Sequence, residues 1–266
     1  MTDADPGVAL VTGAARGIGA ATVLALARSG WRVLALDVCA DDAALPYPLG
    51  TRDELDAVVK EAGDPASVLS YVCDVRDEDA LGQAVDLAER TWGGLDAAIG
   101  VAGVIAGGVP LWEMPARQLR SILDVDLGGV ISLARVAIPA LLRRPQPRSG
   151  RFLAVASAAA TRGMPGLAAY SAAKAGVTGL VRGLAVDLRG TGVTANAVSP
   201  GSTATAILDE SARLYGLGSS QEFAWQQPLE RLLEPAEIAA ALAWLAGPEA
   251  SGLTGAVVPV DAGLAL

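Results

Sequence analysis

A strand, a glycine turn and a helix open this chain, and no other segment restricts its folding as much. Val8 to Val11 read as a short buried strand, Thr12-Gly13-Ala14-Ala15-Arg16-Gly17-Ile18-Gly19 as the turn, and Ala20 to Arg28 as an alanine-rich helix. A second strand, Arg32 to Leu36, follows and ends at Asp37, completing a βαβ unit. Backbone N–H groups at a helix N-terminus point at an anion, and glycines let it come close, so the unit reads as a site for a nucleotide diphosphate. An acidic residue about twenty positions beyond the turn suits the ribose hydroxyls of NAD and repels the additional phosphate of NADP. Arg16 leaves a small opening for NADP.

Later strand–helix units extend the pattern. Gly192 to Val198 and Ala256 to Val260 read as strands, and Arg52 to Ala62, Arg117 to Leu142, Ala168 to Leu188 and Pro235 to Leu245 as helices. With 266 residues, 52% of them hydrophobic, and no linker or repeat, the chain is expected to form one α/β domain over 1–266. The expected architecture is a Rossmann-like, doubly wound parallel sheet of about seven strands with helices on both faces.

The chemistry is concentrated in three residues. Ser157 closes the strand-like run Ala154-Val155-Ala156-Ser157-Ala158, and Tyr170 is followed one helical turn later by Lys174. A free tyrosine has a pKa near ~10, so acid–base work at neutral pH needs a depression of roughly 3 units. Residues i and i+4 share a helix face, which lets Lys174 hold its ammonium beside the Tyr170 oxygen.

Composition removes other chemistries. The chain has no histidine, which excludes histidine-based triads and histidine-bound metal, and no metal site is expected. Cys39 and Cys73 lack metal-type spacing, so a reduced, cytoplasmic chain is expected. Met1 to Pro6 lack the basic and apolar regions of an export signal, and no uninterrupted run reaches the ~18 apolar residues of a membrane span. A net charge of -9 argues against nucleic acid.

With Gly-x-x-x-Gly-x-Gly spacing at Gly13, Gly17 and Gly19, and Ser157, Tyr170 and Lys174 downstream, the sequence resembles the short-chain dehydrogenase/reductase family over nearly its whole length. The resemblance implies that Gly13, Arg16, Gly17, Ile18, Gly19, Asp37, Val38 and Cys39 surround one end of NAD. Cys73-Asp74-Val75 would lie by the adenine, and Ala102-Gly103 and Val125 along the cofactor. Pro200-Gly201, Thr203 and Thr205 would sit on the nicotinamide side. Tyr170 would take the proton of an alcohol, Ser157 would hold the oxygen, and Lys174 would bind the ribose. Family members usually pair the two long helices, Arg117 to Leu142 and Ala168 to Leu188, across a dimer axis, which implies a homotetramer.

Two positions depart from the family pattern. Gly100-Val101 replace a pair of asparagines after the fourth strand, and Asp126 replaces an asparagine whose backbone carbonyl holds a water against the lysine. Aspartate keeps that carbonyl but loses the amide donor, and its charge can compete for Lys174 and shift the pH profile. A non-catalytic nucleotide-binding scaffold is the reading these departures favour, and the intact Ser157, Tyr170 and Lys174 stand against it.

The crossing from the second to the third strand is longer than the family usually makes it, with added residues at about 38–66. Pro46 and Pro48 stiffen it, and Tyr47 and Leu49 give it something to bury. Starting beside Asp37, it can fold over a bound NAD. Tyr47-Pro48-Leu49 before Thr51 resembles the mycofactocin-dependent branch of the family, which implies tightly held NAD and electron transfer to mycofactocin. Freely exchanging NAD(H), with the insertion as a surface loop or subunit contact, is the alternative. The segment 206–227, with Ile207, Leu208, Leu214, Tyr215, Phe223 and Trp225, is expected, with Trp112 and Met114 across from it, either to cover a small apolar alcohol or ketone or simply to pack.

Overall fold

Seven short strands, each rich in valine, alanine or leucine, form one parallel sheet in the order β3-β2-β1-β4-β5-β6-β7. The structure, a computed structural model, describes residues 7–266, so the expectation drawn from Met1 to Pro6 lies outside the described residues. The strands are β1 (Val8–Thr12), β2 (Arg32–Asp37), β3 (Val68–Val72), β4 (Ala97–Gly100), β5 (Arg151–Val155), β6 (Thr194–Pro200) and β7 (Val257–Val260). The chain reverses its direction of winding between β1 and β4, which opens a crevice at the carboxyl ends of the strands.

Among the described residues eight α-helices cover the sheet: α1 (Gly17–Arg28), α2 (Arg52–Ala62), α3 (Glu78–Trp92), α4 (Ala116–Leu123), α5 (Gly129–Arg143), α6 (Ala168–Asp187), α7 (Ala206–Leu214) and α8 (Pro235–Ala246). Alternate residues of the strands feed two cores. Leu10, Leu34, Ala98, Phe152 and Ala197 pack with α3, α5 and α6, while Ala9, Val11, Val33, Ile99, Leu153 and Val198 pack with α1, α2 and α8. Strands buried on both faces read as near-continuous apolar runs, as these do.

The helices α4 and α5 are one continuous rod interrupted by a π turn at Asp124–Gly128. By length and composition this rod, Ala116–Arg143, is apolar enough to cross a membrane, although no uninterrupted apolar run within it reaches ~18 residues. Its inner residues Val130, Leu133, Ala137 and Leu141 belong to the core under the sheet, and Asp126 and Arg135 break the run.

Several expected limits move. Strand β6 starts at Thr194 rather than Gly192, because Gly192 takes a left-handed φ of +83° in the turn before it. Helix α1 starts at Gly17, so the last glycines of the turn are already helical. Strand β5 ends at Val155, and Ser157 instead begins the short 3₁₀ turn Ala158–Ala160. The segment 206–227 is α7 followed by a second 3₁₀ turn, Ser220–Gln226.

Candidate active site

One cavity runs along the crevice, from the glycine turn at one end to Phe223 and Leu264 at the other. Close backbone packing shapes the first end. A side chain at Gly19 would run into the Gly13 carbonyl, so α1 can begin this tightly against β1 only with glycine there. Thr51, Asp77 and Thr205 cap the N-termini of α2, α3 and α7 with their side chains. Helix α1 has neither a side-chain cap nor an acid in its first turn. Its first N–H groups are left for an anion in the cavity.

Asp37 ends β2 beside this turn. Its carboxylate accepts the Ala15 N–H at 3.0 Å and the Cys39 N–H at 3.2 Å, which aims it along the cavity wall. Of the residues expected around a dinucleotide, Gly13, Arg16, Gly17, Ile18, Gly19, Asp37, Val38, Asp74, Val75, Ala102, Gly103, Val125, Pro200, Gly201, Thr203 and Thr205 all line the cavity, as do Tyr170 and Lys174. Cys39 does not. Its backbone turns at a left-handed φ of +50°, which carries the side chain away toward the α1–α2 core.

The insertion lies over this cavity. Tyr47 and Leu49 line it, and Leu45 is buried in a small apolar cluster with Val75, Val104, Ile122 and Val125, against which Tyr170 also packs. Three sets of polar contacts hold the strap down. Arg16 donates to the Pro48 carbonyl at 2.7 Å, and the Tyr47 hydroxyl accepts the Ile105 N–H at 2.8 Å. Asp42 takes Arg76 at 3.0 Å and the Ser121 hydroxyl at 2.8 Å, while Arg76 also grips Asp74. From the sequence Tyr47 is expected to give the insertion apolar bulk and to form part of the Tyr47-Pro48-Leu49 resemblance, with no role for its hydroxyl. Its hydroxyl partner lies 58 residues away, and no local signal marks it.

Ser157 and Tyr170 meet at the centre. The Ser157 hydroxyl accepts the Ala159 N–H at 3.1 Å, and Ser157 and Tyr170 face the same cavity close enough for Ser157 to pull the phenol's pKa down. Lys174 is buried, donates to the Val155 carbonyl at 3.2 Å, and sits 5.7 Å from the centroid of the Tyr170 ring. The expected depression of the phenol is not what the chain alone produces. Burial, and then the Asp126 charge, push the Tyr170 pKa well above its ordinary value, and only Ser157 opposes them.

Asp126 explains part of that reversal. The π turn points it inward, fully buried, with one oxygen 2.8 Å from the Val104 N–H and 3.9 Å from the Lys174 ammonium. A side chain at Gly103 would stand 2.9 Å from that oxygen and 3.3 Å from the ammonium, so this approach needs glycine. The other carboxylate oxygen has no hydrogen-bond partner. Burial raises the Asp126 pKa to about 6, with Lys174 and the Val104 N–H opposing. Asp126 lies behind the cavity wall, next to Lys174 and out of reach of anything bound there.

The far end of the cavity is apolar. Met164, Leu167, Ile207, Leu208, Tyr215, Phe223 and Leu264 form it. Met164, Leu167 and Leu264 carried no sequence signal, because they come from a loop and from the last turn of the chain. Trp112 and Trp225 are 84% and 78% exposed and take no part. Leu214 is also absent from the wall, and Met114 packs in the small cluster below the strap.

This crevice and its Ser-Tyr-Lys floor define a class, and the chain belongs to the short-chain dehydrogenase/reductase family. The sequence model of a family described as enoyl-(acyl carrier protein) reductase matches residues 13–265. The (-)-trans-carveol dehydrogenase of Rhodococcus erythropolis is 34% identical over 273 residues, covering 97% of each chain. The cis-4-hydroxycyclohexanecarboxylate dehydrogenase of Sinomonas cyclohexanicum is 36% identical over 260 residues, covering 96% of this chain and 95% of its own. The crystal structure of carveol dehydrogenase from Mycobacterium avium in complex with NAD superimposes with a TM-score of 0.90 at 30% identity, over 97% of both chains.

Proposed function

We propose that this protein is an NAD-dependent oxidoreductase that interconverts a small, apolar alcohol and its ketone or aldehyde. The observation that carries the reading is the Ser157–Tyr170 pair in the middle of one cavity, with a bare helix N-terminus at one end and an apolar lobe at the other. The residues fit a dinucleotide. The N–H groups of α1 suit a diphosphate, the Asp37 carboxylate suits ribose hydroxyls, and its charge disfavours NADP.

NAD, when bound, supplies the hydride acceptor. Tyr170 removes the alcohol proton, and Ser157 donates a hydrogen bond to the oxygen as its charge changes. In the chain without cofactor only Ser157 opposes the upward push of burial and Asp126 on the phenol, and the role proposed for Lys174, 5.7 Å from the ring, is to add positive charge once the cofactor is in place. Asp126 moderates that charge, and a pH profile displaced from that of an asparagine variant is part of the reading.

The apolar lobe holds the rest of the substrate. The Tyr215 hydroxyl already donates to the Pro165 carbonyl at 2.7 Å, and the Ser211 hydroxyl to the Ile207 carbonyl at 2.8 Å. A substrate with one oxygen and a hydrocarbon frame fits such a wall, in keeping with the carveol named for one relative; the hydroxycyclohexanecarboxylate named for another shares the alicyclic frame but adds a carboxylate.

The strap extends the reading: NAD held captive beneath it and reoxidised in place by mycofactocin as external acceptor. The three sets of strap contacts support retention. A cytoplasmic homotetramer completes the proposal, supported by free Cys39 and Cys73 and by the exposed apolar residues Leu123, Ile131 and Val186 on the two long helices.

The first experiment is mass spectrometry of small molecules released by denaturing exhaustively dialysed protein. Close to one NAD per chain supports a captive cofactor; an empty chain that binds NAD reversibly makes it an ordinary exchanging dehydrogenase. Turnover of (-)-trans-carveol that disappears in Tyr170→Phe supports the relay, and turnover that persists refutes it.

A further inference from the structure

The strap and the Asp126–Lys174 pair grip two adjacent peptide groups, one each. Val104 N–H goes to the Asp126 carboxylate at 2.8 Å, and the next one, Ile105 N–H, goes to the Tyr47 hydroxyl at 2.8 Å. Both bonds are formed by residues distant in sequence on a segment that has just left β4 and belongs to no helix or strand. Val104, Tyr47 and Tyr170 also share one apolar cluster with Leu45 of the strap.

Val104 and Ile105 are also held by burial of their side chains, but their N–H groups are fixed by these two bonds alone. When Tyr47 leaves, the Ile105 N–H loses its acceptor, and packing without that bond is left to keep the adjoining peptide in place against Asp126. The Asp126 carboxylate has no spare partner to take over, since its second oxygen is already unbonded. Asp126 faces Lys174 and Tyr170 from α6 and the Val104 N–H from the segment after β4. Tyr47 faces it from the strap, and Tyr47 in turn feels Glu210 of α7 and Arg16 of the glycine turn.

We propose that Tyr47 is a positioning residue for the proton relay: by holding Val104-Ile105 it fixes the hydrogen bond on Asp126, and through Asp126 the charge that Lys174 presents to Tyr170. Closing of the strap and readiness of the relay are then one linked event. The coupling is reciprocal, so whatever loosens Asp126 also loosens the strap. This rests on the Ser157-Tyr170-Lys174 reading of the site.

The test uses the full chain with ¹³C-labelled aspartate carboxyls, the Asp126 signal being identified by its loss in Asp126→Asn. The Asp126 titration is followed in the natural chain and in Tyr47→Phe, which keeps the ring in its apolar cluster. The Val104 N–H bond favours the ionised carboxylate, so its weakening moves the midpoint upward, by about half a unit to one unit. Reciprocally, amide exchange at Ile105 becomes about 3–10-fold faster in Asp126→Asn.

A Tyr47→Phe titration superimposed on that of the natural chain, with exchange at Ile105 unchanged in Asp126→Asn, overturns the coupling even if the variant loses its cofactor. Tyr47 would then only close the strap. Persistence of turnover in Tyr170→Phe is a different failure: it removes the site reading beneath the proposal.

Discussion

Replacing Asp126 by asparagine changes one charge and almost no volume, and the structure predicts two consequences. The carboxylate stands 3.9 Å from the Lys174 ammonium. At an effective dielectric of ~20 that attraction is about 4 kcal/mol, or about 3 pKa units. The carboxyl nonetheless titrates at about 6 rather than 3.8, so desolvation outweighs the ion pair. Above about 6 the ionised group offsets Lys174 and holds the Tyr170 pKa up. Asp126→Asn therefore moves the Tyr170 limb of kcat/KM to lower pH, by about one unit, since the Asp126 charge comes second to burial in raising the phenol pKa.

The second consequence concerns stability. Between 3.8 and about 6 the folded chain keeps a proton that the unfolded chain has released. Stability attributable to this group is present in full below that window and falls as pH rises through it, by about 3 kcal/mol in total. An amide does not titrate, so the variant loses that component of the slope. Urea unfolding of both chains from about pH 4 to about pH 7 measures it, beside the pH–rate curves. Superimposed rate curves together with equal stability slopes would refute the reasoning.

Arg76→Met frees Asp42 of the strap from a partly exposed ion pair, and NAD release, followed by mass spectrometry after timed dialysis, should quicken about 2–5-fold. Gly19→Ala drives a methyl into the Gly13 carbonyl, so NAD affinity measured by calorimetry should fall at least tenfold, about 1.4 kcal/mol. Leu264→Ala opens the apolar lobe; it should cost about 2 kcal/mol of stability in urea unfolding and raise kcat/KM for bulkier alcohols relative to carveol. Trp225→Ala, at a side chain that is 78% exposed, should leave kcat/KM for carveol within about twofold.

The parts of the site that were legible in the sequence are those where backbone geometry dictates residue type. Gly19 must be glycine because of the Gly13 carbonyl, and Tyr170 and Lys174 share a face because helices have a fixed pitch. Asp37 could be placed because a strand end after a glycine turn has only one location. What stayed hidden depends on contacts between distant segments. The Tyr47–Ile105 bond and the Leu264 wall arise only when the chain folds back on itself. Burial was the other gap: Tyr170 was expected to be acidified by Lys174, but the desolvation of Asp126 nearby, with one oxygen left without a partner, could not be weighed until its surroundings were known. Trp112 and Trp225 were counted as pocket candidates on hydrophobicity alone, which does not say which way a side chain on a short 3₁₀ turn faces.

The π turn at Asp124–Gly128 acts as a phase shifter. Each step of four residues along an ordinary α-helix rotates the facing side by about 40°. Ile122, Asp126 and Val130 are spaced by four and are all buried, and the wider turn absorbs the rotation that would otherwise carry Val130 and the rest of α5 off the sheet. Deleting a single residue here would leave a spacing of seven residues from Ile122 to Val130, about two turns of an ordinary α-helix, so the apolar side of α5 would stay on the sheet while the widened turn that carries Asp126 is lost. The extra residue therefore serves the placement of the carboxylate beside Lys174 rather than the packing of the rod.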